Sequence, residues 1–212
     1  MEEFWQLFKT IVNPESIIYY GGLYLLVFVI FAETGLFVGF FLPGDSLLFT
    51  AGLLTATGNL QSPIIVVLLS ISVAAIVGNL TGYYFGKKVG PPLFSRKESL
   101  MFKPAHLNIA RQFFNKHGDR AMILGRFLPI VRTFVPIVAG VISYDFRKFM
   151  ISNILGALLW VFSLVLLGYF AGVYIPWVKD FLEYIVIALI VLTTIPVYRT
   201  YLKEKKASVK PN

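Results

Sequence analysis

The chain contains no cysteine and only two histidines, and charged residues make up just 14% of its 212 positions. The absence of cysteine excludes disulfides, thiol nucleophiles and thiolate ligands for metals. The two histidines, His106 and His117, lie in a polar stretch without a cluster of carboxylates around them. The sequence therefore predicts no metal site, no cofactor and no catalytic triad, and an enzyme is not expected.

Apolar residues are abundant instead. They make up 57% of the chain, whereas soluble domains contain about 45–50%. This composition predicts an integral membrane protein with one membrane domain over residues 17–198. Residues 1–16 are expected to lie in the cytoplasm or at the interface, and 199–212 to form a basic cytoplasmic tail. The N-terminus is acidic where a cleaved signal peptide would be basic, so no such signal is expected.

Six long apolar runs fall into two kinds. Four are predicted to span the bilayer as helices, and these are 17–32, 63–86, 149–173 and 181–198. The other two, 35–56 and 121–142, are interrupted by proline and glycine, which break or kink a helix. The residues expected to break them are Pro43, Gly44, Pro129 and Pro136. The sequence thus predicts an all-α membrane protein with about four transmembrane helices and two re-entrant hairpins.

The positive charges indicate how these segments are oriented. The net charge is +8, and basic residues concentrate in the connector 87–120 and in the tail 199–212. Because basic loops stay on the cytoplasmic side, the connector and both termini are predicted to be cytoplasmic. The connector is expected to contain an amphipathic helix on the inner leaflet. The two hairpins then enter from opposite sides, and no nucleic-acid partner is needed to explain the basic charge.

A short internal repeat links the two interrupted segments. Phe41-Leu42-Pro43 is followed by Ala51-Gly52, and the same phrase recurs as Phe127-Leu128-Pro129 followed by Ala139-Gly140. Inverted repeats with discontinuous helices are a common design of transporters. The repeat therefore predicts that the two oppositely oriented hairpins form an inverted repeat.

Four ionisable residues lie in or beside the interrupted segments: Glu33, Asp45, Arg126 and Arg132. Ionisable groups at membrane depth are costly and usually mark a pathway. Arginine grips a phosphate through a planar fork of donors, and a carboxylate in a low-dielectric site binds a proton more readily. We therefore predict that Arg126 and Arg132 bind an anionic cargo and that Glu33 and Asp45 couple its movement to protons.

Structural alternatives stay open for three groups of residues. The four charges sum to zero and could pair simply to clamp one hairpin to the other. Polar side chains within the spans, namely Asn79, Thr81, Asn153 and Trp160, are expected to pack rather than line a cavity. Glycines spaced four apart permit a homo-oligomer but equally permit packing within one chain.

At these residues the sequence resembles the DedA family, whose domain is also called the VTT or SNARE-associated Golgi domain. The resemblance runs from about residue 20 to 173 and rests on four motifs: Phe31-Ala-Glu33-Thr-Gly-Leu-Phe, Leu42-Pro-Gly-Asp45, Gly125-Arg126-Phe-Leu-Pro129-Ile-Val-Arg132 and Ala139-Gly140. It implies a bacterial inner-membrane protein with facing re-entrant hairpins. It also implies that Glu33, Asp45, Arg126 and Arg132 serve a function that depends on the proton-motive force.

The resemblance further implies a class of cargo. Members are associated with returning undecaprenyl phosphate to the inner leaflet, others with moving phosphatidylethanolamine, and eukaryotic relatives with lipid scrambling. The leading hypothesis is a proton-linked flippase for undecaprenyl phosphate or a related phospholipid, with membrane lipids and protons as its partners. The alternatives are a proton-coupled antiporter of small ions or organic cations, and a non-transporting stabiliser of envelope proteins.

Overall fold

The computed structural model describes residues 14–36, 44–95, 114, 118, 120 and 122–175. Within these ranges the chain is helical and contains no strand. Five helices have defined bounds: α1 (Pro14–Gly35), α2 (Gly44–Ala56), α3 (Ile64–Ser95), α4 (Pro129–Val141) and α5 (Phe146–Tyr174). The predicted all-α class is confirmed for the described part of the chain.

Three of these helices are long and apolar enough to cross a membrane. They are α1 from Ile17, α3 as far as Gly90, and the whole of α5, so the spans predicted at 17–32, 63–86 and 149–173 are confirmed as apolar helices. α1 is kinked at Gly22, whose φ of 56° is accessible mainly to glycine. The fourth predicted span, 181–198, lies outside the described residues, as do residues 1–13, the tail 199–212 and most of the connector 87–120.

The third helix is longer than predicted. The apolar run ends near residue 86, but α3 continues to Ser95. Lys87 and Lys88 lie within it, and both side chains are exposed. Long basic side chains at the end of an apolar helix keep their charge in water while the helix continues, so the loss of apolar character did not end the helix.

The two interrupted segments each contribute a helix of 13 residues. This is too short to cross a bilayer, which takes about 20 residues. α2 begins at Gly44, directly after Pro43, and is buried from Gly44 through Leu54. In the second segment residues 122–125 are helical, 126–128 form a turn, and α4 begins at Pro129. Proline suits the first position of a helix because its missing N–H would have no partner there.

Pro136 does not break its helix, contrary to the prediction. α4 runs through it to Val141. Proline lacks the N–H that would bond the carbonyl of Arg132, so one backbone hydrogen bond is lost. Its ring lies beside Gly82 of α3, where an added Cβ would be 3.5 Å from the Cβ of Pro136, an ordinary van der Waals contact. Packing against a neighbouring helix is what makes an internal proline tolerable in a membrane protein.

Each short helix packs most extensively on a long helix from the other half of the chain: α2 on α5, and α4 on α3. Glycines bring the backbones into contact in both pairs. A Cβ added at Gly52 would overlap the carbonyl oxygen of Val165, and one added at Gly140 would overlap that of Tyr83. The repeated Ala-Gly phrase therefore has the same packing role in both short helices.

Two apolar clusters lie on either side of the polar residues. The larger joins α1, α2, α3 and α5 and includes the fully buried Trp160. The smaller contains Tyr83, Met122 and Phe149. Tyr83 stacks on Phe149 with ring centroids 4.5 Å apart. The charged residues lie where the short helices begin, between these clusters.

Candidate functional site

Arg132 is held by two carboxylates from the other half of the chain. Its Nη1 donates to Asp45 Oδ1 at 2.5 Å, and its Nη2 donates to Glu33 Oε1. Both contacts are ion pairs, and all three residues are buried. A guanidinium offers two parallel donors, so one arginine can bind two acids at once. The cluster therefore ties α4 to the end of α1 and the start of α2.

Trp160 of α5 completes this cluster. Its indole Nε1 donates to Asp45 Oδ1 at 2.8 Å. The face of the same ring lies 4.9 Å from the Arg132 Cζ, which is the geometry of a cation–π contact. One side chain thus positions both an acid and the arginine that the acid binds.

Local sequence explains how the two acids approach each other. Glu33 lies in the last turns of α1, and Asp45 lies in the first turn of α2, where a negative charge is favoured by the helix dipole. The Glu33 carboxylate occupies the space that a side chain at Gly44 would fill. A glycine at this position is therefore required for the acid to reach Arg132.

Arg126 has a different environment. It is only 2% exposed, and its Nη2 donates to Asn153 Oδ1. With the Asn79 amide oriented to satisfy its neighbours, Asn79 Oδ1 accepts from the same Nη2 at 2.6 Å. Among the described residues, Glu33 and Asp45 form ion pairs with Arg132, and no acid forms one with Arg126. The two arginines therefore differ: one is neutralised by acids, and the other is held by neutral amides.

The two asparagines are themselves anchored by backbone carbonyls. Asn153 Nδ2 donates to the carbonyl of Ile76 at 3.1 Å, and Asn79 Nδ2 donates to that of Thr34 at 3.2 Å. Because each amide nitrogen is fixed in this way, each amide oxygen is directed towards Arg126. Gly156, one turn after Asn153, leaves room for the side chain of Arg126. A Cβ added at Gly156 would lie only 3.0 Å from the Cδ of Arg126.

A small cavity lies between the two arginines. Its volume is about 10 Å³, which is room for about one water molecule. It is lined by Asn79, Met122, Arg126, Arg132, Val135, Pro136, Phe149 and Asn153. Four of these side chains are polar and four are apolar. At this volume the cavity has no room for a lipid headgroup.

The structure brings together all four residues that the sequence singled out. Asn79, Asn153 and Trp160, which the sequence analysis assigned to packing, are hydrogen-bond partners of these charges. The signal that could have found them is their polarity within apolar spans, because a buried polar group needs a partner. Thr81, assigned to the same class, is exposed and bonds the carbonyl of Val77 in its own helix.

No cluster of metal-ligating side chains occurs among the residues that the model describes. The two histidines lie outside them. In the described part of the chain, Glu33 and Asp45 bind Arg132, and no third carboxylate or histidine forms a metal-ligating group with them. The site in the described residues therefore consists of buried charges that pair with one another and with amide side chains.

Apolar spans that enclose such a charged cluster define an integral membrane protein with an internal polar site. The model of the VTT domain matches residues 42–170 of the chain, a range that contains Asp45, both arginines and Trp160. The chain belongs to this family, the DedA family of membrane proteins.

Curated relatives agree over most of the chain. Protein DedA of Escherichia coli (strain K12) is 43% identical over 188 residues, which cover 88% of this chain and 84% of that protein. Inner membrane protein YqjA of the same strain is 39% identical over 175 residues, 81% of this chain and 77% of that protein. An uncharacterized membrane protein of Mycobacterium tuberculosis is 37% identical over 171 residues, which cover 81% of this chain and 74% of that protein. No solved structure matches the chain significantly.

Proposed function

We propose that this protein is a lipid translocase linked to the proton-motive force, which moves undecaprenyl phosphate or a related phospholipid between the leaflets of the bacterial inner membrane. The observation that carries the proposal is the ion-pair cluster of Arg132 with Glu33 and Asp45, buried between two helices too short to span. The proposed location is that of the relative YqjA, an inner membrane protein. The predicted orientation, with both termini in the cytoplasm, belongs to the same proposal.

The two short helices give the proposal its geometry. Each forms the second half of one predicted re-entrant hairpin, and each packs on a long helix from the other half of the chain. Their N-termini, at Gly44 and Pro129, lie beside the buried charges, and helix N-termini favour anions. This cross-packing and the shared Ala-Gly contact support an inverted repeat, a design in which the site lies near the middle of the bilayer.

The acids and arginines have complementary roles in the proposed cycle. Arg126 and Arg132 bind the phosphate of the cargo, while its prenyl or acyl tails stay in the bilayer. Arg132 can bind the phosphate only when Glu33 and Asp45 no longer pair with it. A proton on Glu33 or Asp45 removes one negative charge and weakens that pairing. Proton entry therefore frees a phosphate-binding arginine, which links the two movements.

Charge balance supports the same link. With both acids ionised, Glu33, Asp45, Arg126 and Arg132 sum to zero. Adding a singly charged phosphate would leave one uncompensated negative charge in a low-dielectric site, which is costly. A proton taken up with the phosphate restores the balance. The cycle thus favours the joint entry of one proton for each negative charge of cargo.

The described conformation is a closed one in this cycle. The cavity between the arginines holds about one water molecule, so a lipid headgroup enters only after the helices around it separate. The surfaces that separate are expected to be those of the helices that line the cavity, α3, α4 and α5. A closed resting state prevents free leakage of protons and lipids across the membrane.

The test is transport by the purified protein in liposomes. Wild type, Arg132→Gln and Arg147→Gln are reconstituted at equal density, and movement of undecaprenyl phosphate between leaflets is followed with and without an inward proton gradient. Arg147 is exposed, so it is a matched control outside the cluster. We expect gradient-dependent movement by wild type and the control, and loss of movement in Arg132→Gln.

Other outcomes redirect or refute the proposal. The same vesicles are tested with phosphatidylethanolamine and with small cations. Movement of phosphatidylethanolamine alone would change the cargo but keep a lipid translocase. Movement of cations alone would favour the antiporter, and no lipid movement by correctly inserted wild type would contradict the proposal.

A further inference from the structure

Arg126 and Arg132 are not equivalent in the structure. Arg132 is bound by two carboxylates, whereas the described partners of Arg126 are the amides of Asn79 and Asn153. We infer that Arg126 is the first residue to bind the anionic group of the cargo, a phosphate ester, and that Asn79 and Asn153 are the positioning residues that present it. This inference rests on the proposed function and divides its binding step between the two arginines.

Burial makes Arg126 a strong anion receptor. Its side chain is almost completely buried, and its Nε has no hydrogen-bond partner among the described residues. A buried cation without an anion is costly, because it has lost its hydration without gaining a countercharge. The net negative charge of the Arg132 cluster balances Arg126 without being in hydrogen-bond contact with it. A phosphate that binds Arg126 together with a proton on that cluster therefore recovers this cost and keeps the site neutral. The Nε of Arg132 also has no hydrogen-bond partner among the described residues, but its charge is met by two carboxylates in direct contact.

The amides act as exchangeable ligands. An amide oxygen is a neutral acceptor, and a phosphate oxygen is a charged one whose hydrogen bonds are roughly twice as strong. Replacing an amide oxygen by a phosphate oxygen at the Arg126 Nη2 is therefore favourable. A carboxylate in the same place would compete with the phosphate and block this exchange.

The anchoring of the amides fixes where the exchange occurs. Asn153 is held by the carbonyl of Ile76, and Asn79 by that of Thr34. Both amides and both arginines line the same small cavity. A phosphate that displaces the amide oxygens thus lies beside Arg132 as well, and it is in position to draw that residue away from Glu33 and Asp45.

The decisive variant is Asn153→Asp, which changes the shape of the side chain very little but gives Arg126 its own carboxylate. Binding of dodecyl phosphate and of inorganic phosphate to the full-length purified protein in detergent is measured by titration calorimetry. The comparison set is wild type, Arg126→Gln, Asn153→Asp and, as a neighbouring buried control, Ser152→Ala. Transport of undecaprenyl phosphate in liposomes is measured for the same proteins.

We expect dodecyl phosphate to bind to wild type and Ser152→Ala, and to bind at least tenfold more weakly to Arg126→Gln and Asn153→Asp. Equal binding to wild type and Asn153→Asp would overturn the inference. Asn153→Asp also loses the hydrogen bond from the amide Nδ2 to the carbonyl of Ile76, so its melting temperature is measured first. Arg126→Gln tests the same inference without that loss, and equal binding to wild type and Arg126→Gln would overturn it as well.

The two phosphate probes separate a lipid headgroup from a free ion. Binding of dodecyl phosphate with or without inorganic phosphate supports a phosphate-ester site, and binding of inorganic phosphate alone contradicts it. The inference and the proposed function fail in different ways. Lipid movement that is unchanged in Asn153→Asp refutes the inference alone, whereas no lipid movement by wild type refutes the proposed function.

Discussion

The indole Nε1 of Trp160 donates a hydrogen bond to Asp45 Oδ1 over 2.8 Å, between residues 115 positions apart in the chain. The same carboxylate oxygen accepts from Arg132 Nη1. Trp160 therefore sets the position of the acid from one side while its ring lies against the arginine. Through this contact α5 influences how firmly Arg132 is held.

We expect Trp160→Phe to keep the aromatic face beside Arg132 but to lose the hydrogen bond to Asp45. A hydrogen bond to a charged group contributes about 1.5–3 kcal/mol, so the free energy of unfolding should fall by about that amount. Transport should fall about tenfold, because Asp45 is less well placed. Trp160→Leu, which also removes the ring, should be more severe. Equal behaviour of wild type and Trp160→Phe in both assays would contradict a positioning role.

The ion-pair cluster can be tested as a structural clamp against a functional site. Arg132→Gln leaves two buried carboxylates without a cation and should destabilise the protein by about 3–5 kcal/mol. The triple variant Glu33→Gln/Asp45→Asn/Arg132→Gln removes every charge of the cluster and should recover most of that stability. It should nevertheless remain inactive in transport. Recovery of transport together with stability would mean that the charges serve only to clamp the helices.

Gly44 should tolerate no side chain. In Gly44→Ala the new Cβ would coincide with the Glu33 carboxylate, so the acid must leave Arg132 or the start of α2 must shift. We expect a lower melting temperature in detergent and loss of proton-dependent transport. Gly82→Ala is the matched control, since its Cβ would make only ordinary contacts at 3.5 Å. A melting temperature for Gly44→Ala that matches the control would show that the cluster is not tightly built.

The two backbone contacts made by Gly52 and Gly140 should be equally intolerant of alanine. In each case a Cβ would overlap a carbonyl oxygen of the partner helix, that of Val165 or of Tyr83. Backbone cannot rearrange as a side chain can, so α2 should separate from α5 in one variant and α4 from α3 in the other. Thermal unfolding followed by circular dichroism should place both variants below Gly82→Ala. A large loss in one and none in the other would argue against equivalent roles for the two short helices.

Composition and local pattern were enough to predict the class of this protein and its main helices. Spans at 17–32, 63–86 and 149–173 follow from unbroken apolar runs, because transfer of such runs into lipid depends on the residues of the run itself. Glu33, Asp45, Arg126 and Arg132 could be selected for the same local reason, since charges in apolar segments are costly. Pro136 was misjudged because an internal proline is tolerated through packing on a neighbouring helix, here α3, which the local sequence does not show.

The partners of the charges were decided only by the tertiary structure. Arg132 meets Asp45 across 87 positions and Glu33 across 99, while Arg126 meets Asn153 across 27. No local pattern predicts which arginine binds the acids and which binds the amides, because both arginines lie near the start of α4. The partners of each arginine depend on how α1, α2, α3 and α5 pack around α4. These partners give the two arginines their different chemistry.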